Sequence, residues 1–208
     1  AAADVVAGVV TKCLNARPKT KQKGIDIGMM YLEIEKQEAV QEEILKGLDN
    51  KQPKIVAGCV TFLRTAISEF GGKIFALKPV VKVLPKLFDH SDKNVREETK
   101  LLAIEIYKWI KDAVKAQLTN IKPVQMKELE EEWGKLDPSP PKPTRLTRTQ
   151  QEKQAQAPQV DEAAGGSDAG IAEEESQVVD VDPYDLLDPV DILSKLPKDF
   201  YENMVRMN

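Results

Sequence analysis

The sequence carries one histidine, His90, and two cysteines, Cys13 and Cys59. Imidazole and thiolate are the side chains that most readily move protons, attack carbon or hold zinc near neutral pH. His90 lies in the polar stretch FDHSDKN, where an exposed turn residue is expected and no nucleophile–base pair assembles around it. Cys13 and Cys59 are too far apart for a metal-ligand spacing, and each falls within an apolar helical pattern, so buried, reduced thiols in an intracellular compartment are expected. FGGK at 70–73 lacks the rest of a phosphate-binding loop, and the acidic run ELEEEW at 128–133 reads as a solvated helix face. The expectation is no enzyme, no catalytic residue, no metal and no cofactor.

Cations are a different matter. Three polar turns, LNARPKTKQKG, LDNKQPKIV and FDHSDKNVREE, each carry basic residues just before or within the start of a helical pattern. Matching Lys19, Lys54 and Arg96 aligns Ile25 with Val60 and Leu102, and Ile27 with Phe62 and Ile104, at steps of 35 and 42 residues. A unit of about 40 residues built as helix, turn, helix is the period of HEAT-type and armadillo-type solenoids. Such stacking would bring the three turns to one edge, and a row of cations on a rigid edge suits an acidic protein partner. Solvated turns rich in Lys and Arg are the plainer alternative.

The elements that must hold this row are legible in outline. Aromatic content of 5% with 31% charged residues suits long helices better than sheets, and the chain reads as all-α. Seven helical patterns follow one another from residue 2 to 136, the sixth running unbroken from NVREE through KDAV. Pro53, Pro79 and Pro123 mark helix starts, Gly71-Gly72 a stop, and Pro85 a kink. Trp109 belongs to a core face, and Trp133 to the capped end of the stack. No apolar run reaches the roughly 20 residues of a membrane span, and no dense basic stripe suggests nucleic acid.

Charge divides the chain. Residues 1–136 hold 23 Lys/Arg against 19 Asp/Glu, whereas residues 137–208 hold 7 against 15. The expected organisation is a helical-repeat domain over 1–136, a disordered linker over 137–183, and the start of a second domain over 184–208. The linker begins proline-rich, with Lys142, Arg145 and Arg148 offering weak attraction to an acidic lattice, and turns acidic after residue 160.

The stretches GLDNKQPKIV, KVLPKLFDHSDKNVREETKLLAIEIYKWI and MKELEEEWGKL resemble the first TOG domain of the Dis1/ch-TOG/Mini spindles family of microtubule polymerases. VDILSKLPKDFY is similar to the entrance of that family's second TOG domain. The resemblance implies a paddle of HEAT-like helix pairs whose intra-repeat turns bind αβ-tubulin, a strongly acidic partner, at microtubule plus ends, centrosomes, spindle poles and kinetochores of the cytoplasmic cytoskeleton. Spindle-pole adaptor proteins are further partners it implies. Carried over by residue, Arg17, Lys19 and Lys21 belong to one tubulin-facing turn, Lys51 and Lys54 to the next, and Lys93 and Arg96 to the last. The family's complete domain has two further repeats before these, with a tubulin-engaging tryptophan in the first turn. Trp109 and Trp133 stand at other helical positions, and the chain is expected to be a fragment. The competing reading is a generic HEAT or armadillo adaptor that takes peptides on its concave helix face.

Overall fold

The computed structural model describes residues 2–137, 139 and 141–156, and every regular element among them is helical. The acidic linker after residue 156 and the second-domain entrance expected at 184–208 lie outside the described residues. In chain order the helices are α1 (Ala2–Gly8), α2 (Pro18–Glu33), α3 (Gln37–Leu48), α4 (Pro53–Phe70), α5 (Leu77–Phe88), α6 (Lys93–Ile110), α7 (Ala113–Gln117), α8 (Pro123–Gly134) and α9 (Arg148–Gln156). A π-helical segment, Val9–Cys13, continues α1, with the Leu14 N–H donating to the Val9 carbonyl at 3.1 Å.

Local chemistry sets most boundaries. Pro18, Pro53 and Pro123 each open a helix at the first position, where the missing N–H would have no intrahelical partner. Pro79 is instead the third residue of its helix, and α5 runs through Pro85 to end at Phe88. The Asp92 carboxylate caps α6 by accepting from the Asn94 and Val95 N–H groups at 2.8 and 3.3 Å. Gly71 closes α4 with φ of 92°, a conformation that costs glycine little and other residues much. The expected single sixth helix is broken: Lys111 adopts φ of 50° and separates α6 from α7. That turn lets Val114 and Leu118, both essentially inaccessible, fold back into the core instead of leaving it along α6.

α1 pairs with α2 through its π-helical continuation, α3 pairs with α4 and α5 with α6, while the short α7 and α8 each pack on α6. The second members form a row in which α2 meets α4, α4 meets α6 and α6 meets α8, while α1 packs on α3 and α5 on α7. Gln41 ties the first layer together, donating to the Ala76 carbonyl at 2.7 Å and accepting from the Ala76 N–H at 3.1 Å. One aliphatic core runs through the stack from Val6 to Trp133. Phe62 sits at its centre against Gly28 of α2, where any side chain would overlap the ring. Tyr107 and Trp133 stack at 4.4 Å and 10° at the far end, with the Lys115 ammonium over both rings, as expected of a capped stack.

Ile27 is 38% exposed although the equivalent Phe62 is fully buried. Among the described residues α2 has a row neighbour, α4, on one side only, so the repeat places an apolar side chain where one flank is open.

Candidate docking edge

Antiparallel pairing puts the turn within each pair on one edge of the stack. These turns are Leu14–Arg17, Asp49–Gln52, Asp89–Asp92 and the stretch 118–122. Hydrogen bonds and ion pairs link these turns and the helix ends beside them. Asn15 donates to the Gln52 side chain at 2.9 Å, Lys86 pairs with Asp49, and Lys122 pairs with Asp89 at 2.8 Å. Gln125 donates to the Phe88 carbonyl at 2.9 Å. Lys122 holds the Asp89 carboxyl below its ordinary range by hydrogen bonding first and charge second, with a smaller pull from Arg96.

A cleft of about 220 Å³ runs across the edge, lined by Asn15, Ala16 and Lys21, by Pro53 and Lys54, and by Asp92 and Asn94. Three turns that are far apart in sequence therefore share one surface. A second cleft, about 280 Å³, continues the edge between Phe88, Lys93, Arg96, Lys100, Gln125 and Glu128.

The basic residues differ in exposure and in the partners they already hold. Arg17, Lys19, Lys51 and Lys54 are exposed and make no ion pair with other described residues. Lys93 is exposed and pairs with Glu97 at 3.4 Å. Lys21 is half-buried and donates to the Thr61 hydroxyl at 3.2 Å, so it braces α2 on α4 instead of reaching outward. Arg96 is half-buried, and its Nη1 donates to the His90 and Ser91 carbonyls at 2.7 Å each.

The register also differs from the sequence match. Pro18, Pro53 and Lys93 open their helices, so the structural steps are 35 and 40 residues. Lys19 and Lys54 are equivalent second residues, but the third turn places Asn94 there. Arg96 lies two residues further on, equivalent to Lys21, because the Asp49–Gln52 and Asp89–Asp92 turns are followed by different helix openings. His90, expected to be an exposed turn residue, is half-buried and its Nδ1 accepts from the Asp92 N–H at 3.0 Å. It shapes the turn that presents Arg96, and only the short spacing to Asp92 could have signalled this.

The basic cluster after the domain is corrected as well. Arg145 does not stand free: it pairs with Glu33, and with Glu69 at 3.1 Å, on the opposite edge of the stack. Arg148 remains exposed and pairs with Glu152 at 3.2 Å within α9. Residues 144–156 of the expected linker are therefore packed on the domain or helical.

A family model described as the XMAP215/Dis1/CLASP TOG domain matches residues 1–133. The chain belongs to this TOG-domain family. The TOG chain is 48% identical over 203 residues to mini spindles of Drosophila melanogaster, covering 97% of this chain and 10% of that protein. It is 40% identical over 199 residues to MOR1 of Oryza sativa subsp. japonica, covering 95% and 10%. It is 33% identical over 190 residues to alp14, a spindle pole body component of Schizosaccharomyces pombe, covering 90% and 23%. The chain thus spans about a tenth of the length of the first two relatives. A solved structure concerned with tubulin recruitment and assembly by microtubule polymerases with TOG domain arrays superposes at a TM-score of 0.67. That match has 31% identity and covers 95% of this chain and 38% of the other. A TOG domain of Zyg9 from C. elegans shares the fold at a TM-score of 0.55 with 17% identity, over 62% of this chain and 48% of that one.

Proposed function

We propose that this TOG domain docks αβ-tubulin on the edge formed by its intra-pair turns, as part of a microtubule polymerase. The observation that carries the reading is the cleft that joins three turns and is bordered by Lys54 and Lys21, with Arg17, Lys19 and Lys51 exposed beside it. Support comes from the likeness to a solved TOG array that concerns tubulin recruitment.

The edge suits an acidic partner in two ways. Exposed lysines speed encounter and orient it, each contributing about 0.2–1 kcal/mol once docked. Arg96 works differently. With Nη1 already held by two turn carbonyls, its remaining N–H groups are oriented before the partner arrives, and a carboxylate can take two of them without the arginine losing much further freedom. Lys21 contributes charge from behind the rim.

The domain acts by binding and not by catalysis. It works in the cytoplasmic cytoskeleton, at plus ends, centrosomes or spindle poles and kinetochores, where spindle-pole adaptors place it. Lys142 and Arg148 add weak attraction to a microtubule lattice.

Reversing charge at both Lys54 and Arg96 tests the reading. Lys54→Glu with Arg96→Glu abolishes co-elution with tubulin on size exclusion while leaving the helical circular dichroism unchanged. Undiminished co-elution removes this edge as the docking surface.

A further inference from the structure

The edge opposite the docking turns carries an interaction of its own. Glu33 ends α2 and Glu69 nearly ends α4, so acidic residues from two different helix pairs face one another. Arg145 lies between them, its Nε on Glu33 and its Nη1 on Glu69 at 3.1 Å, with the guanidinium carbon 5.5 Å from the centre of the Phe70 ring. Backbone groups complete the seat: the N–H groups of Thr144 and Arg145 both donate to the Glu69 carbonyl at 2.9 Å. That carbonyl is in the last turn of α4, where no intrahelical N–H remains to satisfy it. Four residues after Arg145, the Thr149 N–H donates to the Glu35 carboxylate at 3.2 Å, and hydrogen bonds from Thr149 and Thr147 hold that carboxyl below its ordinary range.

We infer that Glu33, Glu69 and Phe70 form an arginine-binding notch whose occupant is the chain's own segment 144–149, seated in cis, and that this seat sets where the chain leaves the domain and withholds Arg145 from acidic partners. Two acids, one aromatic face and one orphan carbonyl match a guanidinium followed by an extended backbone, and a lysine can satisfy only part of that set. The cis route is short. Helices α4, α6 and α8 stand side by side in the row, so the end of α8 is roughly 20 Å from that of α4 at about 10 Å per helix. The eight residues 137–144 reach roughly 26 Å when extended. The exit therefore lies about one helix length, roughly 27 Å for α4, from the docking turns, which leaves that edge clear. The withholding of Arg145 from a microtubule rests on the tubulin reading; the notch does not.

Hydrogen exchange on the 208-residue chain tests this. The Thr144 and Arg145 amides exchange at least about tenfold more slowly than an open peptide. Glu33→Gln with Glu69→Gln removes that protection and leaves the α4 and α6 amides unchanged, while Arg145→Lys falls between. Open-chain exchange in the wild type, or protection that survives the double substitution, overturns the notch. Protection lost on dilution shows that a second copy supplies the segment and overturns the cis assignment. In Lys54→Glu/Arg96→Glu the 144–145 protection persists, so failure of the tubulin reading and failure of the notch are separately visible.

Discussion

At Arg96 the consequence of anchoring is a difference between arginine and lysine at constant charge. Lysine cannot bridge the His90 and Ser91 carbonyls and still present an oriented fork, so Arg96→Lys weakens tubulin binding by about 1.5–3 kcal/mol, the range for hydrogen bonds to charged groups, as read by a titration Kd. Lys19→Arg at the rim changes affinity within the scatter. Cys59 gives a second residue-scale prediction. Burial pushes its thiol up from 9.0 to about 12, against the opposing charge of Lys21. The unfolded thiol ionises first, so the stability Cys59 contributes is complete below about pH 9 and falls as pH rises toward 12. Urea midpoints measured between pH 8 and 10.5 decline more steeply in the wild type than in Cys59→Ala. In the native state a disulfide reagent leaves Cys59 untouched.

Elements are held at contact distance by small residues. Gly58, on the α4 face beneath the first turn, would bring an added Cβ to 2.7 Å from the Leu14 Cβ and 3.0 Å from the Leu14 carbonyl oxygen. Because one of those atoms is backbone, relief requires moving the turn that carries Ala16 and Arg17. Gly58→Ala therefore costs about 1–3 kcal/mol in urea unfolding and also weakens tubulin binding, an effect that a purely internal core change would not have. At the other end, Trp133→Ala removes a 95% buried ring from its stack on Tyr107 and costs about 3–5 kcal/mol, visible as a lower melting temperature. The break at Lys111 belongs to the same scale, since one left-handed residue lets a short α7 carry Val114 back into the core.

The described part of the molecule has two edges of contrasting charge joined by helices. The edge proposed for docking gathers exposed cations, while the opposite edge carries Glu33, Glu35 and Glu69 under the 144–149 segment. An association rate with tubulin that depends on this field falls steeply as ionic strength rises through the range where the screening length drops below about 10 Å. In stopped-flow mixing, Lys54→Glu/Arg96→Glu loses that salt dependence, whereas Glu33→Gln/Glu69→Gln keeps it.

Helix content and the pairing of helices into repeats were legible in the sequence because each depends on local periodicity: apolar residues at helical spacing, proline at first positions and polar turns at regular intervals; the family was legible only through the resemblance of long stretches such as GLDNKQPKIV. The same periodicity brought Lys19 and Lys54 to equivalent places. It misplaced Arg96 by two residues, left His90 without a task and ran α6 through Lys111, since a slip of half a turn or one left-handed residue hardly alters an apolar pattern. Only the tertiary structure decided that Lys21 braces Thr61 and that Arg145 turns back to Glu33, 112 residues away. A side chain's charge is written in the chain, but the partner it meets depends on distances that folding alone creates.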